Sequence, residues 1–431
     1  MIVPSRRLLI LAGAVALPAA TVAGLSSTLA PAAIAVLALA AMLAAADALR
    51  GAGRIRCLDV RGPAAVRLTK DVESTLPLTI QNQTTAPLAL RLAPAFPDGV
   101  EAARTVEEVE AGPGPSLFEW CLTPRVRGDH AVPRVYVETA SPWGLWLARE
   151  AGAVETVLRV YPNLRDRATR SLLLKNAPGL RMRRTIGKGR EFDNLRHYVA
   201  GDSFEDIHWK ATARRAFPVV KLYRVEHAQE VYAAIDHSRL ASRPGILDSY
   251  VEAALHLAIA AERQGDRFGL VTFSDRTHRF VRARGGLDHF RLCRETIYNL
   301  RAERVSPDFR DVFTALQVNL RRRALVVFFT SLDDALLAET FEREIPLVAR
   351  RHLVLVNVTR TAEMKPLFAG APPADLDAAY QGLAGQMLWN RMRALELALG
   401  HRGVKLALVD AGDIKQRVTS EYFEVKRRQV L

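Results

Sequence analysis

The chain has 431 residues, of which 49% are apolar and 25% are charged. This length suggests two or three domains, and the composition excludes a disordered chain, a collagen-like chain and a pure coiled coil. Lysine and arginine outnumber aspartate and glutamate by 60 to 46, which gives a net charge of +14. Such a surplus is typical of an arginine-rich proteome or of a protein with an anionic partner. The three cysteines are too few and too scattered for a disulfide framework or a cysteine-rich zinc site.

The N-terminal segment carries no charged residue from position 8 to position 46. A bilayer core about 30 Å thick needs about 20 apolar residues per helix. The segment therefore predicts two short transmembrane helices, residues 8–25 and 29–46, in a hairpin domain of residues 1–54.

The arginines around this hairpin predict its orientation. Arg6 and Arg7 precede the first helix, and Arg50, Arg54 and Arg56 follow the second, whereas the turn between the helices is uncharged. Because basic residues collect on the cytoplasmic side, we expect a multi-pass protein of the inner (plasma) membrane with cytoplasmic soluble domains. The alternative is a cleaved signal peptide, but its apolar core would be very short and a second apolar segment follows.

Residues 55–164 form the next predicted domain, which we interpret as a β-sandwich. Its short apolar runs alternate with polar or small residues, as in strands with one buried face. The clearest alternation lies in two runs, whose inward positions are Leu76, Leu78, Ile80, Leu88, Leu90 and Leu92. Short strands of period two at this spacing are typical of a β-sandwich of about a hundred residues.

Residues 226–431 form the last predicted domain, which is α/β. Short continuous apolar runs occur at residues 231–235, 268–273, 325–330, 353–358 and 404–409. Such runs belong to parallel strands buried on both faces, and amphipathic segments between them predict covering helices. We therefore expect a doubly wound sheet, in which ligands bind at the carboxyl ends of the strands. The chain is thus predicted to be multidomain, with a transmembrane α-hairpin, a β-sandwich domain and a doubly wound α/β domain.

Residues 165–225 form a basic connector between the two soluble domains. They contain 15 Lys or Arg residues and 6 Asp or Glu residues, a local net charge of +9. Within them, residues 189–214 read GREFDNLRHYVAGDSFEDIHWKATAR. The positions that we single out as an interaction or structural signature are Glu191, Phe192, Arg196, Tyr198, Gly201, Asp202, Trp209, Lys210 and Arg214.

This signature resembles that of the family called domain of unknown function 58. The family pattern is a Gly, then Glu-Phe, Leu-Arg-x-Tyr, Gly-Asp, Ile-x-Trp-Lys and a closing Ala-Arg, all of which occur in residues 189–214. The resemblance implies a membrane hairpin, a small β domain and a C-terminal domain similar to the von Willebrand factor A fold. It implies no established enzymatic activity. It further implies a bacterial accessory that assembles or remodels protein complexes at the membrane beside a MoxR-type AAA+ ATPase.

The same resemblance raises the question of a cation. A-type domains often bind one through a loop that reads Asp-x-Ser-x-Ser. Here that loop supplies Asp236 and Ser238, but Leu240 replaces the second Ser, and a later loop has Ser331 where an Asp is usual, with Asp333 following. Octahedral magnesium tolerates few missing oxygen ligands, so Asp236, Ser238 and Asp333 form at best a degenerate site. We expect no cofactor and no tight magnesium or manganese site in residues 226–431. Asp236 is then a group that satisfies backbone N–H groups.

Three classes of function remain open. The chain lacks a P-loop, a His-Glu-x-x-His motif and a Gly-x-Ser-x-Gly motif, which argues against a metal-dependent hydrolase using the Asp236 region. A second class is a binder of anionic lipid or nucleic acid through the connector. The connector mixes acids and aromatic residues with its bases, which indicates a packed segment and disfavours nucleic acid. We therefore expect a membrane-anchored, cytoplasm-facing, non-enzymatic adaptor with a protein partner.

Two expectations concern the side chains of the signature. Trp209 is predicted to be a buried anchor, beside Ile207 and Phe192, that pins the connector against the α/β domain. Arg196 and Asp202 are predicted to form a charge pair across the tight turn between them.

The orientation leads to a first testable prediction. A reporter enzyme that is active only after export, fused behind Leu431, should remain inactive in cells, because both ends of an arginine-flanked hairpin stay in the cytoplasm. The control is the same reporter fused within the uncharged turn between the helices, which should be active. An active fusion at Leu431, or a mature N-terminus near Thr21, would contradict the orientation.

Overall fold

The computed structural model describes residues 1–25, 28–165, 171, 186–215, 217–224, 228–361, 363–366 and 375–428. It separates into two compact units, Met1–Asn163 and Leu164–Leu431.

The first unit begins with strand β1 (Ile2–Pro4) and two apolar helices, α1 (Arg6–Leu25) and α2 (Ala30–Arg56). Both helices are long and apolar enough to cross a membrane, with a mean hydropathy of 2.2 over their most apolar 18-residue windows. The prediction of two apolar helices is confirmed. The second helix continues about ten residues past its predicted end at residue 46, through Asp47 and on to Arg56.

Nine further strands follow in the described part of this unit. They are β2 (Leu58–Arg61), β3 (Ala65–Thr69), β4 (Ser74–Asn82), β5 (Leu88–Pro94), β6 (Val100–Ala102), β7 (Glu107–Ala111), β8 (Gly114–Pro124), β9 (Gly128–Ala140) and β10 (Trp146–Tyr161). One sheet has the order β1-β10-β9-β5-β7, with β3 beside β10, and the other has the order β2-β4-β8-β6. All of these strand pairs are antiparallel except β3 with β10.

Side chains from both sheets share one hydrophobic core. All six inward positions predicted from the alternation, on β4 and β5, are buried in it. Trp120 of β8 is fully buried there, and its ring contacts Phe96 and Phe118 at centroid distances of 6.2 and 5.8 Å. The period-two pattern therefore identified the buried faces of these strands correctly.

A buried carboxylate joins the extended end of α2 to this β region. Asp47 accepts hydrogen bonds from Ser141 Oγ, from the N–H of Trp143 at 3.0 Å and from the N–H of Leu145 at 3.3 Å. Trp146 Nε1 donates to the carbonyl of Ala44 at 2.8 Å, one turn earlier on the helix. The β9–β10 turn is thus fastened to the helix just beyond its apolar stretch.

The second unit contains an antiparallel hairpin, a larger sheet and covering helices. Its strands are β11 (Ile186–His197), β12 (Val219–Arg224), β13 (Glu230–Asp236), β14 (Arg267–Phe273), β15 (Thr277–Arg284), β16 (Ala324–Thr330), β17 (Leu353–Thr359) and β18 (Lys405–Val409). Its helices are α3 (Trp209–Arg215), α4 (Ile246–Arg263), α5 (Leu287–Ile297), α6 (Phe309–Asn319), α7 (Ala335–Glu344), α8 (Pro346–Ala349), α9 (Leu376–His401) and α10 (Ile414–Arg428).

The larger sheet has the order β15-β14-β13-β16-β17-β18, and all its neighbours are parallel except β15 with β14. On β13, Val231, Ala233 and Ile235 face a core with α4, α5 and α10. Tyr232 and Ala234 face the opposite core with α6, α7, α8 and α9. Burial on both faces explains why the strands are continuous apolar runs in the sequence. The strand order places the carboxyl ends of β14, β13 and β16 side by side, where a doubly wound sheet binds ligands.

The Asp47 contacts generate a second prediction. Asp47→Ala leaves two backbone N–H groups and the hydroxyl proton of Ser141 without their acceptor, and a hydrogen bond to a charged group contributes about 1.5–3 kcal/mol. We expect the free energy of unfolding of the β region to fall by at least that amount, measured by tryptophan fluorescence of the full chain in detergent micelles. Asp59→Ala is the matched control, because Asp59 forms an exposed ion pair with Arg61 at 2.8 Å, and it should change stability by less than about 0.5 kcal/mol. Equal stability of Asp47→Ala and wild type would contradict a stabilising role for the contacts between Asp47 and the β9–β10 turn.

Candidate functional site

The carboxyl ends of β13 and β16 meet at a buried carboxylate. Asp236, the last residue of β13, accepts a hydrogen bond from Thr330 Oγ1 at 2.6 Å and one from the N–H of Ser238 at 2.8 Å. Burial raises the pKa of the Asp236 carboxyl, and these two hydrogen bonds partly offset that rise. Ser238 in turn accepts from the N–H of Leu240 at 3.3 Å. Asp236 thus satisfies a backbone N–H group, as one of the two sequence interpretations expects.

The acids that follow β16 are paired with arginines that follow β13. Arg243 donates to Asp333 at 2.6 Å, and Arg239 donates to Asp334 at 2.7 Å. Ser331 Oγ also donates to Asp333, at 3.0 Å. The Arg239 pair holds the pKa of the Asp334 carboxyl below its ordinary value. Guanidinium groups therefore already neutralise the carboxylates on this side of the sheet edge.

These contacts locate the three residues singled out for a cation. Asp236 and Ser238 are fully buried, and Asp333 is mostly buried beneath Arg243. Each of the three forms a hydrogen bond or an ion pair with another residue of the chain. Because Asp236 and Ser238 are inaccessible, they cannot contact a protein partner directly.

A second cluster at the same edge was missed by sequence reasoning. It contains Ser274 and Asp275 after β14, His278 on β15, Glu303 between α5 and α6, and His237 directly after Asp236. Burial lowers the pKa of the His237 imidazole, and the nearby His278 adds to this effect. The Asp275-x-x-His278 spacing was a weak local signal, whereas nothing in the sequence connects it to Glu303.

The signature folds into its own small lobe. β11 pairs antiparallel with β12, and the 3₁₀ turn Phe204–Asp206 and helix α3 lie between them. Gly201 has a φ of +111°, in the region that favours glycine, so the turn needs this residue. The signature residues Lys210 and Arg214 are exposed on α3, and Tyr198 contacts Phe204 at a ring distance of 5.9 Å. We name this set of elements the signature lobe.

The predicted charge pair in the lobe is confirmed. Arg196 donates to Asp202 at 2.5 Å, and Asp202 also accepts from the N–H of Val199 at 2.9 Å. The hydrogen bond from Arg196 lowers the pKa of Asp202, and the hydrogen bond from the N–H of Val199 lowers it further by a smaller amount. The pair closes the turn on which Gly201 lies.

The predicted burial of Trp209 is wrong. Its side chain is 68% exposed, whereas Ile207 is buried and bridges to Val220 of β12. Trp209 begins a helix of only seven residues, which can bury just one of its sides. Ile207, two residues earlier, occupies the buried position in the lobe, and the side chain of Trp209 is left in solvent. The side chains of Phe192 and Glu191 lie outside the described part, although their backbones belong to β11.

The charge pair generates a third prediction. Arg196→Ala and Asp202→Ala should each lower the melting temperature of the full chain moderately, and the double variant should lose less than the sum of the two. Folding lowers the pKa of Asp202. The stabilising interaction between Arg196 and Asp202 is therefore fully present at a pH above the unfolded-state pKa, near 3.8, and is lost as the pH falls through the lower folded-state pKa. Additive effects at neutral pH would show that the pair contributes nothing. Arg291→Ala is the control, since Arg291 forms its ion pair with the highly exposed Asp288.

A family model described as "Protein of unknown function DUF58" matches residues 194–371. No curated protein matches the chain. Among solved structures, the conserved hypothetical protein BatB from Bacteroides thetaiotaomicron is 11% identical, with a TM-score of 0.29, and the match covers 46% of this chain and 99% of that one. The ASH/PapD-like domain of human CEP192 is 13% identical, with a TM-score of 0.19, covering 25% of this chain and 87% of that one. TM-scores this low assign no fold. Over residues 194–371, the chain is similar to the DUF58 family, as the signature predicts.

Proposed function

We propose that this protein is a membrane-anchored, cytoplasm-facing adaptor without enzymatic activity, which helps to assemble protein complexes together with a MoxR-type AAA+ ATPase. The family resemblance suggests the partner. The exposed aromatic surface of the signature lobe is the observation that carries the adaptor role.

The anchor of this proposal is the pair α1 and α2. Two apolar helices with arginines at their outer ends support a hairpin whose ends lie in the cytoplasm. The two sheets with a common core support a β-sandwich, and the strand order of the larger sheet supports a domain like the von Willebrand factor A fold. The signature lobe belongs to the second unit, which also contains the larger sheet.

The lobe exposes large apolar side chains. Phe204 is 72% exposed and Trp209 is 68% exposed, and Val199 and Phe217 are also exposed. Scattered exposed apolar residues are normal, but four within nineteen residues of a short lobe are a concentration. Tryptophan is enriched among the residues that dominate protein–protein binding energy. We infer that this surface docks the protein partner.

The runner-up is binding to anionic lipid or nucleic acid. The exposed Trp209 is followed by exposed Lys210 and Arg214, and an aromatic residue among bases also suits those ligands. Acids Glu205 and Asp206 precede the helix, however, and weaken the positive field. Binding of this second kind would depend steeply on salt, whereas an apolar contact with a protein would not.

The adaptor proposal gives a fourth prediction. The tagged full chain, purified from detergent-solubilised membranes, should retain a MoxR-type ATPase. Phe204→Ala and Trp209→Ala should weaken this association by about 30-fold in Kd, since an interface anchor contributes about 2 kcal/mol or more. Because both side chains are exposed, the melting temperature should stay within the range of a neutral surface change.

The matched control is Leu287→Ala, because Leu287 is 69% exposed at the start of α5 and lies outside the lobe. It should retain the partner fully. Equal recovery of the ATPase with all variants would contradict a docking role for the lobe. Recovery of lipid or nucleic acid alone, lost with salt, would favour the runner-up.

A further inference from the structure

Loops from three parts of the chain meet beside the Asp236 carboxylate. The N–H of His237 donates to the carbonyl of Phe273 at 3.0 Å, and the N–H of Glu303 donates to the carbonyl of His237 at 2.7 Å. The N–H of Asp308 donates to the carbonyl of Ser274 at 2.8 Å. Backbone hydrogen bonds therefore fix the positions from which the side chains of this cluster project.

Three of these side chains converge on one hydroxyl. Ser274 Oγ lies 3.0 Å from Asp275 Oδ1, 2.7 Å from His278 Nε2 and 2.9 Å from Glu303 Oε2. A hydroxyl has one proton and can donate to only one of them. Two carboxylates, which only accept hydrogen bonds when they are ionised, are thus held together beside an imidazole nitrogen that donates or accepts according to its tautomer. A bound cation would remove this mutual repulsion.

A buried histidine whose ring nitrogens lack a well-formed hydrogen bond lies against the same group. His237 is 2% exposed, and its ring centroid is 4.7 Å from that of His278, at an interplanar angle of 68°. The backbone carbonyls of Arg301 and of His237 itself act as weak hydrogen-bond acceptors for the ring and oppose the lowering of its pKa, but neither ring nitrogen reaches full hydrogen-bond geometry in the described part of the chain. Buried polar atoms are nearly always paired, so this ring indicates a ligand or an ordered water beside it.

The spacing of the converging atoms selects the kind of cation. His278 Nε2 lies 3.4 Å from Asp275 Oδ1 and 3.5 Å from Glu303 Oε2. Tetrahedral zinc, with bonds of about 2.0–2.1 Å, separates its ligand atoms by about 3.3–3.4 Å. Imidazole suits zinc and its neighbours in the first transition series, whereas magnesium prefers oxygen ligands alone. All three side chains are partly exposed, so a cation can enter from solvent.

We propose that Asp275, His278 and Glu303 bind a zinc-class divalent cation. Ser274 Oγ positions the three ligands, and a fourth coordination position remains for water or for a partner's donor group, with His237 close to it. This site is distinct from the degenerate loop of Asp236, Ser238 and Asp333. The site also goes beyond the proposed adaptor function, which assigns a binding role only to the signature lobe.

The test uses the full chain in detergent after chelator treatment, titrated with zinc chloride in a calorimeter. We expect a one-to-one isotherm with a dissociation constant in the micromolar range or tighter, and no saturable heat with magnesium chloride. His278→Ala and Glu303→Gln should abolish the isotherm, and Ser274→Ala should weaken binding about 10–100-fold, as for residues that orient ligands. Asp333→Asn and Asp288→Asn should bind zinc like wild type. The melting temperature of each variant without metal shows whether it is folded.

A second readout is independent of heat. Cobalt(II) at this site should give the intense visible absorption of tetrahedral coordination, and the band should be absent from Glu303→Gln. Saturable zinc binding that survives in both His278→Ala and Glu303→Gln would overturn the proposal, as would the absence of saturable binding to the wild type.

Discussion

The hydrogen bond between Thr330 and the buried Asp236 carboxylate is the constraint on which the sheet edge depends. It joins the ends of two neighbouring parallel strands at 2.6 Å, in an environment from which water is excluded. A carboxylate without partners would be very costly there, so Thr330 Oγ1 and the N–H of Ser238 are both needed. The same contacts start the turn that carries His237 on one side and Arg239 on the other. The two halves of the edge, one with arginines and one with histidines, are both built on this one buried group.

The two halves differ in how their carboxylates are neutralised. Asp333 and Asp334 have guanidinium partners within 2.7 Å. Asp275 and Glu303 have instead a serine hydroxyl and an imidazole, which supplies positive charge only when protonated. The half with arginines is electrostatically complete without a ligand. The half with histidines is electrostatically complete only after it gains a proton or a cation. We therefore propose a metal site in this half, and not at the Asp236 loop to which the family resemblance pointed.

Much of the architecture follows from local patterns in the sequence. The alternation at Leu76, Leu78 and Ile80 requires one buried face, and continuous runs such as residues 231–235 require two. The charge pair of Arg196 and Asp202 was also predictable, because both residues flank one tight turn.

What could not be predicted depends on partners far away in the chain. The extension of α2 past residue 46 rests on Asp47 and Ser141, which are 94 residues apart. The convergence of Ser274 with Glu303 depends on how the sheet brings two loops together. Trp209 was misjudged because a seven-residue helix has no period that shows which side is buried, and its neighbour Ile207 took the inner position.

Magnitudes decide which surface supplies affinity for a partner. A partner's acidic group could reach Arg239 or Arg243 only by displacing Asp334 or Asp333, and partly exposed ion pairs contribute about 0–1 kcal/mol. Exchanging one such pair for another therefore gains almost nothing. Burying an exposed aromatic ring such as Trp209 or Phe204 gains about 1.5–3 kcal/mol for an average large apolar side chain. In the proposed complex, the strand-end arginines therefore add orientation and little binding energy, and we propose the aromatic side chains of the signature lobe as the main source of affinity.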